Sequence, residues 1–348
     1  MSRIFVAGLG AVSPAGWTVA SMREALDRGE PLPVQPLESR REKPLLARLV
    51  PNPVTRPDFL SHPRLRRASP ITHYAASAAL EAAAPFRKAH PENARLGLII
   101  CLQSGCVQYS CRFYDEALKN PATASPLLFP ETVYAAPASH IATLLGNVTM
   151  VTSLVGDPSS FLQGLSLAAQ WVAEERVDAC LVIGAEETNW ITADALWHLD
   201  RTASISAGAG ALCLCRDASL SIGVELAAIT DAHTFSTKSN RAQAARSMRE
   251  QLGKNSSNGK LALLCDGLGS GLRADTAEIS AWRDWTGPRL SPKRILGEGL
   301  MAAAAWQCVM ACDAIASHRA KTANVSLVGF NQHAIGAKFQ TISSAKTK

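Results

Sequence analysis

Residues 151–169 read VTSLVGDPSSFLQGLSLAA. The apolar start predicts a strand over 149–154, Gly156-Asp157-Pro158-Ser159 a sharp turn, and the remainder, rich in small residues, a helix over 161–174. A junction of this kind aims the side chains of its turn at the positive end of a helix dipole, where a nucleophile is readily activated. Here the turn offers an aspartate, a proline and serines. The chemistry of the chain depends on what those residues can do there.

The same alternation extends outward in both directions. Residues 4–9 predict a short apolar strand closed by Gly8, Gly10 and Pro14, and 19–28 a helix. Residues 32–67, with many Pro and Arg and little periodicity, read as an irregular surface excursion. An alanine-rich run predicts a helix over 72–84 ended by Pro85. Residues 96–102 are continuously apolar, the pattern of a strand buried on both faces. A loop over 127–137 leads to a short helix over 138–145, stopped by Gly146. Beyond the junction come a buried strand over 179–183 and two strands over 209–216 and 222–230, expected to pair antiparallel. The second half repeats the plan more briefly, with helices over 242–252, 274–285 and 300–318 and strands over 261–265, 325–328 and 337–340. Strands alternating with helices imply an α/β fold with covered sheets. Two similar halves are expected, 1–217 and 218–348.

Composition narrows the class. A chain of 348 residues, 47% hydrophobic and 18% charged, suits one large α/β domain or two fused halves. The net charge of +6 is modest, and the dense basic cluster Arg64, Arg66 and Arg67 reads as a solvated loop rather than a nucleic-acid surface. An acidic carrier protein would also favour such a patch. The sequence lacks an apolar run of about 18 residues and a signal-peptide pattern at its start, so the expected location is the cytoplasm. The nine cysteines fit that compartment as free thiols, most of them small core hydrophobes. Cys101, Cys106 and Cys111 are spaced by five, but without the partners that zinc spacing supplies nearby, core packing is expected and a metal is not.

Single motifs carry little. Gly8-Leu9-Gly10 follows a strand, but Ser13 stands where a dinucleotide fingerprint needs its third glycine, so a tight strand-to-helix turn is the expectation. A GxSxG nucleophile elbow is missing. Gly267-Leu268-Gly269-Ser270-Gly271 lacks the Gly-Lys-Ser/Thr of a phosphate loop. His140, beside Ser139 at a helix start, is expected to cap or pack, and His333 lies in the terminal loop Gly329-Phe330-Asn331-Gln332-His333.

In order along the chain, six segments resemble the β-ketoacyl synthase branch of the thiolase-fold family. They are VAGLGAVSPAGWTVASMREALDRGE, LFPETVYAAPASHIATLLGN, SFLQGLSLAAQWVAEERVDACLVIGAEE, SAGAGALCLC, SPKRILGEGLMAAAAW and VGFNQHAIGAKF. The second is most similar to ketosynthases of aryl polyene and related pigment pathways. The resemblance implies two pseudo-symmetric halves in a layered αβαβα arrangement, with no cofactor and no metal. It also implies a cysteine and two histidines for acyl transfer and condensation. Laid on that pattern, the chain has Pro158 at the nucleophile position, with Asp157 or Ser159 there on a one-residue shift, Asp266 at the first histidine and Glu298 at the second. Proline offers no nucleophile, and two carboxylates oppose the enolate that the histidines stabilise. Between Glu187 and Ala207 the chain is also shorter than an active ketosynthase.

These departures imply a catalytically degenerate subunit similar to the chain-length factors of type II polyketide, aryl polyene or fatty-acid-like systems, without condensing activity of its own. Its expected partner is an active ketosynthase that supplies the cysteine, with an acyl carrier protein engaged indirectly. The strand over 149–154, the loop over 101–111 and the segment 127–137 are expected at or near the partner interface. Two alternatives stand beside this reading. One is a thioester hydrolase or acyltransferase using Ser159 or Ser160 with a carboxylate base, where the plainer role of both serines is an N-cap. The other is a non-catalytic acyl-binding scaffold.

Overall fold

Continuously apolar runs become central strands, and the small-residue helices lie between and outside them. The structure, a computed structural model, describes residues 3–342 apart from 38–43, 91–93, 254–260, 270–271 and 331. The first half runs β1 (Ile4–Val12), α1 (Val19–Arg28), β2 (Gln35–Leu37), β3 (Leu45–Arg48), α2 (Pro70–Ala89), β4 (Leu96–Leu102) and α3 (Val107–Lys119). It continues α4 (Ala136–Leu145), β5 (Val148–Val155), α5 (Ser160–Ala173), β6 (Ala179–Glu186), α6 (Trp190–Leu199), β7 (Ile205–Ser206) and β8 (Gly208–Cys215). The second half runs β9 (Val224–Ile229), β10 (His233–Thr234), α7 (Lys238–Leu252), β11 (Ala262–Cys265), α8 (Leu272–Ala281) and β12 (Arg289–Leu290). It closes with α9 (Pro292–Leu296), α10 (Met301–Ala316), β13 (Thr322–Val328) and β14 (His333–Thr341).

The two halves share one topology. In space the first is ordered β1-β8-β6-β4-β5 and the second β9-β14-β13-β11-β12. Each has two antiparallel pairings followed by two parallel ones in that order. Taken along the chain, the strands of each half fill the same places in the same sequence, which is the pseudo-symmetry expected of the thiolase-like fold. The halves join where β1 pairs antiparallel with β9, Phe5 opposite Glu225. The strands read as a hairpin at 209–216 and 222–230 are therefore not partners: β1 lies between β8 and β9 and bonds to both. A long-range pairing has displaced the local one.

The layers follow from which faces are apolar. α5 and α10 form the middle layer, where Phe161, Leu162 and Leu165 meet strands of both halves and every α10 residue through Ile315 is buried. α2 and α4 cover the outer face of the first half, and α7 and α8 that of the second. Close approach requires small residues. A Cβ at Gly8 or Gly10 would collide with the carbonyls of Ala82 or Ala78 in α2. Both glycines lie inside β1, so they serve helix-on-strand packing and not the expected turn.

Other elements depart from the sequence pattern. α2 continues through Pro85 to Ala89, because Phe86 beyond it is buried in the core and repays the one missing N–H. Part of the irregular excursion forms a small sheet, β2-β3-β7, whose cluster of Leu45, Ala47 and Ile205 packs on α6. The stretch 101–111 is no loop either. Cys101 lies in β4, Cys106 is the N-cap of α3, and Cys111 lies within that helix. Among the described residues, no helix is long and apolar enough to cross a membrane, and no group of three His, Cys, Asp or Glu could hold a metal.

Candidate functional site

The junction after β5 is buried at every turn residue from Asp157 to Ser160. β5 ends at Val155, and Ser159 is the N-cap residue of α5 but makes no side-chain cap. The Asp157 side chain organises the turn ahead of the helix. Its Oδ1 accepts from the Ser159 backbone N–H at 3.1 Å and also from the Ser159 hydroxyl. Its Oδ2 accepts from the Gln332 N–H at 3.2 Å, which ties the turn to the terminal Gly-Phe loop. A Cβ at Gly329 would strike the Asp157 carboxylate, so only glycine admits that side chain. Ser159 thus occupies the N-cap position without a side-chain cap, because the first N–H groups of α5, on Ser160, Phe161 and Leu162, bond to the carbonyls of Asp157, Pro158 and Ser159 and the Ser159 hydroxyl donates to Asp157.

Ser159 is inaccessible to solvent, and Ser160 Oγ lies over Gly156. His333 begins β14 beside them, 5% exposed, and its Nε2 has no hydrogen-bond partner. Burial holds its ring below the usual imidazole value, against the opposing pull of Asp157 and a hydrogen bond with the Ser159 backbone. Arg241 reaches the same loop through the Phe330 carbonyl and lies within the field of Asp157, its Nε unpartnered. Asn331, Ser270 and Gly271 lie outside the described residues.

Asp266 and Glu298 sit in a second cluster. Asp266 is fully buried, accepts from Ser291 Oγ and from the Leu268 N–H at 3.3 Å, and pairs with Arg289 at 3.5 Å. Burial raises its pKa, and it raises that of Glu278, whose carboxylate accepts from the Gly267 N–H at 3.1 Å. Two such carboxyls in one dry site cannot both ionise freely, so burial favours a proton on the pair. Glu298 pairs with Lys293 Nζ at 2.7 Å and accepts from the Leu300 N–H at 2.8 Å. Leu300 has φ 49°, a strained conformation for leucine, so the sharp entry to α10 is held partly by that bond. Lys293 is buried, yet its pKa is raised because Glu298, Glu278 and Asp275 outweigh its desolvation.

A cavity with room for about one or two waters, roughly 30 Å³, lies among Lys293, Glu298, Glu278, Asp275 and Phe330. Lys293 Nζ stands 5.9 Å from the Phe330 ring. Phe330 thus lies beside Lys293 of the second cluster, while Gln332 bonds to Asp157 of the turn holding Pro158. Lys293, Glu278, Asp275, Arg241 and Gln332 were not singled out from the sequence, since a buried Lys or Glu carries no local mark of its partner. The fixed spacing of Lys293 to Glu298 inside KRILGEG was the one available signal.

Among the described residues, β5 is an edge strand bonded to β4 alone. Val151 and Val155 on it are exposed, as are Leu127, Phe129, Val133 and Tyr134 on the neighbouring segment. His140 is buried against Glu131 of that segment, Nε2 to carboxylate 2.8 Å, a packing role. Behind it, Glu186 accepts from the Gln103 and Ser104 N–H groups, and burial pushes its pKa up to about 8. Glu187 accepts from Ile71 and Gln108 at the starts of α2 and α3, and from Ser69 Oγ.

No family model matches the chain, and no curated protein sequence matches it. Solved structures do. A β-ketoacyl synthase from Burkholderia phymatum STM815 superposes with a TM-score of 0.80 at 18% identity, covering 99% of this chain and all of that one. A chain of the ishigamide ketosynthase/chain length factor gives 0.76 at 17%, covering 98% and 100%. A chain of the ketosynthase ApeO in complex with its chain length factor ApeC, from Xenorhabdus doucetiae, gives 0.80 at 14%, covering 98% of each. The chain has the thiolase-like fold of ketosynthases and of their complexes with chain length factors. At these identities the likeness is one of fold.

Proposed function

We propose that this chain is a ketosynthase-like subunit without condensing activity, similar in role to a chain length factor, which pairs with an active ketosynthase in type II polyketide, aryl polyene or related chain elongation. The observation that carries this reading is the state of the three expected catalytic positions. The turn around Pro158 is filled by the Asp157 carboxylate, Asp266 is bound to Ser291 and Arg289, and Glu298 is bound to Lys293. None offers a thiolate or an imidazole. Ser159 donates to an aspartate and is closed to solvent, which speaks against the serine-enzyme alternative.

Pairing is supported by the unpartnered β5 edge and the exposed apolar residues beside it. Arg64, Arg66 and Arg67, exposed near α4, suit an acidic carrier protein. The halves 1–217 and 218–348 act as one unit in this reading. Co-expression with a Cys-His-His ketosynthase and size-exclusion chromatography tests it. One heterodimer peak is expected, and two separate peaks at about micromolar concentration would sink the idea. Incubation with acyl-carrier thioesters should leave the intact mass unchanged. An adduct that disappears in Ser159→Ala or Ser160→Ala would establish the serine enzyme instead.

A further inference from the structure

α7 and α8 cover the outer face of the second half, and between them runs a surface groove of about 520 Å³. Three guanidiniums line it, Arg246 and Arg249 from α7 and Arg283 from the turn after α8, with the Ser280 hydroxyl and the carboxylates of Glu250 and Asp284. Its floor is fixed. Trp282 is 1% exposed, donates from its indole N–H to Ser326 Oγ at 3.0 Å and meets Trp285 edge-on at 5.6 Å. Arg249 lies over the Trp282 ring, 5.0 Å from its centre, and is held there by the Ala281 carbonyl and the Asp284 carboxylate.

The other two arginines are exposed. Arg246 donates to the Gln243 side-chain carbonyl at 2.9 Å, and among the described residues neither Arg246 nor Arg283 has an ion pair. Arg246 and Arg249 are neighbours on one helix face, where like charges repel. Local packing thus accounts for Arg249 but not for Arg246 and Arg283. A carboxylate has two oxygens and takes one guanidinium fork, whereas a phosphoryl group has three that can each take a separate donor.

We propose that the α7–α8 groove binds a small phosphate monoester, with Arg246 and Arg283 closing on the phosphoryl oxygens over the positive floor that Arg249 provides. The groove is larger than a phosphoryl group, and its lining is charged or hydroxylic except for Ala281, so the ester it admits is polar. α7 and α8 pack on β14 and β13, whereas β5 ends the sheet on the side of the first half. The site is therefore independent of whether the chain pairs with a ketosynthase.

Titration calorimetry of the full chain with glycerol 2-phosphate, at about pH 7.5 and about 50 mM NaCl, tests it. A dissociation constant below about 1 mM is expected, with malonate, of similar charge, at least about fivefold weaker. Arg246→Gln/Arg283→Gln should weaken binding at least about tenfold and melt within about 1 °C of wild type, since both side chains are exposed. Arg28→Gln/Lys88→Gln, the same change in charge on the first half, should bind within about twofold of wild type. A weaker wild-type constant, malonate within fivefold, a smaller loss in the groove variant, or a larger loss in the distant one would each overturn the proposal. Should the groove variant melt lower, Arg246→Lys/Arg283→Lys replaces it. That variant keeps the charge but removes the fork, and should weaken binding at least about threefold, a smaller loss counting against the site in the same way.

Discussion

Lys293 and Glu298 show how single residues are fixed by what surrounds them. Their side chains are 11% and 10% exposed, so each charge depends on the other. Removing one partner leaves a buried unpaired charge, which costs about 3–5 kcal/mol, whereas replacing both is often close to neutral. Urea denaturation should therefore show Lys293→Met to be strongly destabilised and Lys293→Met/Glu298→Gln to recover most of the loss. A double variant as unstable as the single would mean that Lys293 is held by Glu278 and Asp275 instead. The same logic explains the turn. Pro158 itself offers no nucleophile, while the neighbouring Asp157 sets the local structure by accepting from the Ser159 N–H and the Gln332 N–H together.

Among the elements, β1 against α2 is the most demanding contact. Gly10→Ala puts a methyl group into the Ala78 carbonyl, and overpacking of this kind costs about 1–3 kcal/mol. Gly29→Ala, at a helix end with open space but φ 75°, should cost about 1–2 kcal/mol through backbone strain alone. Calorimetry on the two separates packing from conformation. At the β5 edge, Val151→Lys should leave the isolated chain within about 0.5 kcal/mol of wild type while weakening the proposed complex at least tenfold, read by titration of the partner. Equal affinity would move the interface elsewhere. Much of this level was legible. α1 and β4 fall on the residues that their patterns mark, and β5, β6 and α5 lie within a few residues of theirs. The β2-β3-β7 sheet was not legible, because its short, partly exposed strands lack an apolar period and are held by α6. Neither was the separation of β8 from β9, because nothing local announces that β1 will insert between them.

For the whole molecule, the buried carboxyls set the response to pH. Glu186 has a folded-state pKa near 8, raised by burial above its unfolded value, and burial raises the Asp266–Glu278 pair too. The folded protein then binds more protons than the unfolded chain between about pH 4.5 and 8, so the stability contributed by these groups is present at low pH and lost as pH rises through the folded pKa. Each such group contributes a slope of up to about 1.4 kcal/mol per pH unit. Denaturation of wild type and Glu186→Gln from pH 5 to 8 should show the wild type losing stability with rising pH and the variant losing less. Parallel curves would mean that Glu186 is ionised throughout.

The sequence by itself determined the α/β alternation and the identities of Pro158, Asp266 and Glu298, which only the resemblance aligns with a cysteine and two histidines. The alternation rests on periodicity, which is local, and the alignment on the resemblance. The tertiary structure decided the rest: that β1 joins the two halves, that Asp157 closes the turn, and that Lys293 and Arg289 hold the two carboxylates. Each of these depends on groups far apart in the chain meeting in a dry interior, where a hydrogen bond or a counter-charge is required and no local pattern names the one that will supply it.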